Sequence, residues 1–339
     1  MKNARKKKGF LGLLIMICLS FVLAACTSSE SSNSNSGSNS TDSSGTSQLR
    51  IGGSTTSTWI YGFTSSWSEV MKDKVPDVTM NVQATAGSSA HYLMVENGDL
   101  EIASGFTPSE FYASKGELNF EQPFENFRAM MPVTDSRGHV FTLADSKIEA
   151  VKDLDGVKIG LGSRGSPTSI VAEVHAEALG LKPEYVYGEA SELMDMLRDG
   201  RIDAIWYYSG APWATVIDLA SQNELKFLSF TDEEIATLQE VAPYTTKTEI
   251  TPDDYDFLDE AISVPGAVQT LIVSKDVSED VVYELTKASW ENWDQISQLV
   301  PAAGAVKVED AANLIGTIHP GALKYYEEAG VEIPEELKP

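Results

Sequence analysis

The stretch from Asp155 to Leu181 most restricts how this chain can fold. Val157-Lys158-Ile159 reads as a buried strand, and a loop of small residues, Gly160 to Gly165, follows it. Ser166 and Pro167 then open a helical pattern with apolar positions at Ile170, Val171, Val174 and Ala178. Ser at the cap and Pro in the first turn are start signals, and Gly180 is a stop signal. A strand, a small-residue loop and a helix start make a seat for an anion. The first N–H groups of the helix have no partner within it, and its dipole is positive at that end.

The same rhythm recurs upstream. Leu49 to Ile51 reads as a strand, followed by the loop Gly52 to Thr58 and a helix through Trp59, Phe63, Trp67, Val70 and Met71. Val78 to Val82 alternates as a second strand, and Thr85 to Ser89 opens a helix that closes at Asn97-Gly98. Leu100 to Ala103 is a third strand. Repetition of this unit predicts a parallel sheet with covering helices, an α/β fold. Arg128 to Val133 and His139 to Leu143 read as two strands leading into a second unit. That unit continues through Tyr185 to Tyr187, a helix from Ser191, and a strand from Asp203 to Tyr208. The loop Ser209 to Pro212 and a helix from Trp213 follow. The buried run Ala267 to Val273 reads as the return to the first unit, and Ser278 caps a long helix. A chain that leaves one α/β lobe, builds another and returns predicts lobe 1 from 48–142 plus 262–339 and lobe 2 from 143–261. Helix starts from both lobes are expected to face one cleft at the carboxyl ends of the strands.

The first residues read as a targeting segment. Five basic groups (Lys2, Arg5, Lys6, Lys7, Lys8) precede an apolar run from Phe10 to Ala25, which is short for a membrane-spanning helix. Leu23-Ala24-Ala25-Cys26 resembles the bacterial lipobox. That resemblance implies a signal peptide over 1–25, with Cys26 as the lipid-bearing new N-terminus. Residues 26–47 are almost all Ser, Asn, Gly and Thr, which cannot bury a core and predict a flexible tether. Once 1–25 is removed, 20 basic groups remain against 50 acidic ones. Such a surface argues against nucleic acid and anionic lipid as partners. Cys26 would be the only thiol left, so neither a disulfide nor a cysteine metal site is expected.

Taken in order, several loops resemble those of the TAXI family, the solute-binding subunits of a class of TRAP transporters. The carrying residues are Ile51 to Thr55, Thr85 to Ser88 with Asn97 to Asp99, Lys152 to Gly156 with Gly162 to Ser166, Asp199 to Ala204, Ser209 to Pro212, Val281 to Lys287, and His319 to Ala322 with Tyr325 to Glu327. The resemblance implies a type II periplasmic-binding-protein fold, two α/β lobes with a ligand cleft between them. It also implies a small carboxylated solute (an amino acid or dicarboxylate), a membrane permease driven by an ion gradient, and a lipid-anchored, monomeric protein on the extracytoplasmic face. The chain departs from the family pattern at four places. The family's second Gly near Ser57 is missing, Trp59-Ile60 replaces a Tyr pair, His91 an Asn, and Pro167 a Gly.

The expected ligand-binding residues are Ser54, Thr55, Thr56 and Trp59 in the first loop, and Ser88, Ser89 and His91 in the second. Arg164, Gly165, Ser166 and Thr168 follow in the third, with Tyr208, Gly210 and Pro212 in the fourth. Arg164 is the only cation in these loops and suits a carboxylate clamp. Tyr208 is expected to offer its hydroxyl, and the other histidines read as core or surface groups. No catalytic residue, metal or cofactor is expected, and the protein is read as a non-enzyme. The Gly160-x-Gly162-x-x-Gly165 pattern, with Glu184 and Glu189 downstream, also fits a dinucleotide-binding enzyme. Its mid-chain place and the look-alike loops elsewhere weigh against that reading. A binding lipoprotein serving an ATP-driven importer or a sensor would share the fold.

Overall fold

Each small-residue loop hands a strand over to a helix, as the sequence rhythm requires. The computed structural model describes residues 47–56, 58–303 and 306–339. The expected signal peptide, Cys26 and all of the expected tether except Ser47 lie outside the described residues. β1 (Ser47–Gly52) leads to α1 (Trp59–Lys74), β2 (Val78–Gln83) to α2 (Ser88–Glu96), and β3 (Ile102–Phe106) to α3 (Thr107–Lys115). The long β4 (Phe127–Leu143) then carries the chain away. β5 (Lys158–Leu161), α4 (Pro167–Ala178), β6 (Glu184–Tyr187), α5 (Ala190–Arg198), β7 (Ala204–Ser209) and α6 (Ala214–Ala220) build the second half. β8 (Leu225–Phe227), α7 (Asp232–Val241) and β9 (Thr246–Ile250) precede the return strand β10 (Ile262–Ser274). α8 (Glu279–Glu291), α9 (Trp293–Leu299) and α10 (Pro320–Glu328) follow.

The strands form one sheet in the order β2-β1-β3-β10-β4-β7-β5-β6, with β8 paired to β4 and β9 to β10. β1 runs parallel to β2 and β3, and β5 runs parallel to β6 and β7. β10 is antiparallel to both β3 and β4, so β3 and β4 point the same way. β4 is antiparallel to β7. The two trios therefore point at each other along the shared strands β4 and β10. Arg128 to Val133 and His139 to Leu143, expected as separate strands, are the two ends of β4. Its first part pairs with β10 and its last with β7 and β8, which makes the Asp135–Gly138 segment a bridge between halves.

Apolar faces explain which helices go where. On α1, Phe63, Trp67 and Met71 recur at helical spacing and are fully buried, packed toward β2, α8 and α9. Each such side chain contributes roughly 1.5–3 kcal/mol over an exposed one. A second core joins α2 and α3 of the first half to α4 and α7 of the second, through Tyr92, Phe106, Leu161, Val171 and Trp206. A third lies under α5 and α6, around Phe141, Leu197 and Val216. The two halves thus share a core as well as two strands. No helix among the described residues is long and apolar enough to cross a membrane.

Candidate functional site

Strand register brings the loops of the two trios together. Phe106, the last residue of β3, is level with Thr134 of β4 through Gln269 of β10. Ser209, the last residue of β7, pairs with Arg137. Between Thr134 and Arg137 the two carboxyl ends are thus roughly 10 Å apart along one strand. The loops after β1, β2 and β3 approach this level from one side, and those after β5 and β7 from the other.

On the first side, the turn after β1 is tied to the turn after β2. Gly53 N–H donates to the Gln83 carbonyl (3.0 Å), and the Thr85 N–H donates to the Ser54 carbonyl (3.0 Å). The Ser54 N–H donates to Thr85 Oγ1 (3.0 Å). Gly53 is required by close approach, because a β-carbon there would lie 2.6 Å from Thr64 Oγ1. Ser54 has φ of +74°, unusual for a residue with a side chain. A β-carbon added to Gly87 would lie 3.5 Å from Ser54 Oγ, so that hydroxyl faces the start of α2. α2 begins at Ser88 and Ser89 and has no side-chain cap. Thr58, rather than Ser54, Thr55 or Thr56, caps α1 by accepting from the Tyr61 N–H. Thr55 and Thr56 are exposed, and Trp59 is 38% exposed at the first turn.

His91, expected among the ligand-binding residues, is turned inward. It is fully buried, with Nδ1 2.7 Å from the Ser104 carbonyl and Nε2 2.5 Å from Thr85 Oγ1. The lack of a side chain at Gly52 is the reason it fits: a β-carbon there would lie 2.9 Å from the imidazole.

On the second side, Ser166 caps α4 by accepting from the Ser169 N–H (3.2 Å), and its Oγ lies 3.1 Å from Thr168 Oγ1. Gly165 is in the left-handed region (φ +75°), which turns the loop into this cap. The Ser163 hydroxyl donates to Glu189 (2.5 Å). The Arg164 guanidinium lies 3.8 Å from the centre of the Tyr187 ring and is exposed. Among the described residues no carboxylate forms an ion pair with it.

Tyr208 is a correction. It is 2% exposed, and its hydroxyl is held 2.5 Å from His175 Nδ1. Alternation along β7 sends the neighbouring Tyr207 to the loop side instead. Tyr207 stacks on Trp213 at 4.7 Å between ring centres and packs beside Gly162. Tyr207 and Trp213 are the aromatic residues of this corner, and period-two alternation allowed either face to be the inner one. Gly210 and Pro212 lie in the turn between them, with the Ala211–Pro212 peptide cis. The Trp213 N–H donates to the Tyr255 hydroxyl (2.7 Å), which lies 2.8 Å from His139 Nε2.

The remaining histidines are structural. His175 is buried between Tyr208 and Thr245, and burial holds its pKa down to about 3. His319 caps α10 by accepting from the Gly321 N–H (3.2 Å). A separate cavity of about 250 Å³ lies where β4, β9 and β10 cross, lined in part by Asp135, Arg137 and Thr248. Arg137 pairs with Asp135 across it (3.6 Å) and with Asp254 (2.7 Å), and Thr248 donates to Asp135 (2.6 Å). No group of three or more His, Cys, Asp or Glu among the described residues could hold a metal ion.

Two opposed α/β halves, joined by long crossing strands and meeting at their loops, define the periplasmic-binding-protein fold. Solved structures agree. MatC from Rhodopseudomonas palustris, with bound malate, matches 84% of this chain and 96% of its own at 12% identity and a TM-score of 0.51. A Xanthomonas citri protein, solved once with ATP and once with chloride, matches 83% of this chain and 95% of its own at 10% identity and a TM-score of 0.50. A profile of the NMT1-like family matches residues 51–330, and the chain belongs to that family.

Proposed function

We propose that the protein is an extracytoplasmic solute-binding subunit of a membrane transporter and not an enzyme. It is anchored by lipid on Cys26, captures a small carboxylated solute between its halves, and hands it to a permease. The halves are 48–142 plus 262–339 and 143–261. The observation that carries this reading is the register of β4, where the carboxyl ends of opposed trios meet between Thr134 and Arg137. The amides at the starts of α2 and α4, with the hydroxyls of Ser54, Ser88, Ser89 and Thr168, supply partial positive charge to that level. Thr55, Thr56, Gly165 and Gly210 supply backbone groups, Ser166 holds the α4 start in place, and Trp59 and Pro212 offer apolar cover. Arg164 supplies the full charge. The malate bound by the structurally similar MatC supports a carboxylated solute. The loop resemblance favours a TRAP permease of the TAXI class, coupled to an ion gradient.

Thermal unfolding of the unit Gly45–Pro339 in the presence of amino acids, dicarboxylates and oxo-acids tests this. A true solute at a hundred times its Kd stabilises the folded state by about 2.7 kcal/mol. Failure of every carboxylate to raise the melting temperature sinks the solute assignment. Uptake by the protein with its permease in vesicles, driven by an ion gradient without ATP, tests the transporter class.

A further inference from the structure

Two histidines, one serving each half, end hydrogen-bond chains of the same design. The His91 Nδ1 atom lies 2.7 Å from the Ser104 carbonyl, and the His139 Nδ1 atom 2.9 Å from the Arg137 carbonyl. A carbonyl can only accept, so both Nδ1 atoms carry the proton and both neutral rings leave Nε2 bare. A bare Nε2 needs a donor. For His91 the donor is the Thr85 hydroxyl at 2.5 Å, and for His139 it is the Tyr255 hydroxyl at 2.8 Å. Each hydroxyl donates its hydrogen bond to the ring and accepts one from a backbone amide: Ser54 N–H at 3.0 Å, Trp213 N–H at 2.7 Å. Those amides belong to the turn before α1 and the turn before α6, the first and last loops of the candidate site.

We propose that His91 and His139 are positioning residues for solute capture. Each fixes the direction of one hydroxyl and, through it, the place of one binding loop. In the first chain the fixed loop includes Ser54, whose left-handed backbone (φ +74°) needs such support. In the second it brings Trp213 against Tyr207. The chains are polarised end to end, amide to hydroxyl to imidazole to carbonyl, so each bond strengthens the next. Burial holds both rings neutral. Around His91 the facing groups are Thr85, Ser104 and Gly52, none of them charged. Around His139 they are Tyr255, Trp213 and Phe227, with the charges of Arg137 and Asp254 acting in opposite directions.

This inference rests on the proposed function for its meaning, but its test does not need the solute. Imidazole nitrogen NMR of the intact protein at pH 7 should show both rings with the proton on Nδ1. Amide exchange at Ser54 should speed at least tenfold in Thr85→Val and stay unchanged in Tyr255→Phe. Exchange at Trp213 should show the reverse. His91→Gln, which keeps an acceptor near the Nε2 position, should restore Ser54 protection, and His91→Phe should not. A proton on Nε2 of either ring, or equal exchange in all variants, overturns the proposal. If the chains behave as described but Thr85→Val and Tyr255→Phe bind a screened carboxylate as tightly as the parent, the positioning role is overturned. If the screen finds no carboxylate, the solute assignment fails and the exchange data still decide the chains.

Discussion

The Tyr208 hydroxyl and the His175 imidazole share a hydrogen bond of 2.5 Å in a part of the core that water does not reach. The other ring nitrogen of His175 lies 2.9 Å from Thr245 Oγ1, and the ring stacks on Tyr244. Tyr244 in turn meets Tyr112 of α3, hydroxyl to hydroxyl at 3.2 Å. One polar network therefore ties α3 of the first half to α4 and β7 of the second. Removing the Tyr208 hydroxyl leaves a buried imidazole nitrogen without a partner, which costs about 1–3 kcal/mol. Tyr208→Phe should lower the urea midpoint accordingly and leave solute affinity within about twofold. A large loss of affinity at unchanged stability would return Tyr208 to the binding surface.

Glu110 gives the fold a pH dependence of unusual sign. It lies in the first turn of α3, fully buried, and accepts from the Thr270 hydroxyl through Oε1, while Oε2 has no hydrogen-bond partner. Burial pushes its pKa up to about 8 from an ordinary 4.5. Between these two values the unfolded chain has lost the proton that the folded chain keeps. Stability therefore falls as pH rises through that window, and the contribution is intact below it. The full effect is on the order of 5 kcal/mol. Glu110→Gln keeps a carbonyl for Thr270 and has no charge to bury. The variant should gain on the parent from about pH 5 to about pH 8 in denaturant titrations, and the gain should level off above that. Parallel curves across that range would show that Glu110 ionises normally.

Much of this was legible in the chain. Alternation and glycine-rich loops predicted the strand-to-helix units, and Ser166 and Ser278 cap helices where the sequence placed them. α3 was missed although its signals were present: Pro108 at the first turn and Gly116 in the left-handed region at the end. Its residues Thr107 to Glu110 are all buried, so no amphipathic stripe marks it. β9 was missed because Thr246 to Ile250 is mostly polar, and only pairing with β10 makes it a strand. The site suffered from a different blindness. Alternation separates Tyr207 from Tyr208 but cannot say which face is core, and nothing local reveals that His91 points inward over Gly52. Those facts depend on distant partners: Ser104, 13 positions from His91, and His175, 33 positions from Tyr208.

Gly162 is where backbone and site come closest. A β-carbon there would lie 2.6 Å from Thr168 Oγ1, 2.9 Å from Ser166 Oγ and 3.3 Å from the Tyr207 ring. Gly162→Ala must push the hydroxyls of the α4 start away from one another or lift Tyr207 off its stack. Overpacking of this kind costs roughly 1–3 kcal/mol of stability. The same displacement disturbs the amides at the α4 start, so affinity for the solute should fall by about tenfold or more. Tight binding by a merely destabilised variant would show that the second half is recognised elsewhere.

Arg164 offers the sharpest distinction between a clamp and a bystander. Its guanidinium carbon lies 3.8 Å from the centre of the Tyr187 ring, which itself faces Glu173. A cation held over a ring stays in place while its exposed N–H groups can donate two parallel hydrogen bonds to a carboxylate. A lysine could supply the charge but neither the fork nor the stacking plane. If the clamp operates, Arg164→Ala should weaken binding by roughly 1.5–3 kcal/mol, and Arg164→Lys should recover only part of that. Tyr187→Leu should lower affinity by a smaller step, since it frees the guanidinium without removing it. Calorimetric titration of the three variants checks the order. Equal dissociation constants for parent and Arg164→Ala would remove the residue from the site and leave recognition of the carboxylate to the helix starts alone.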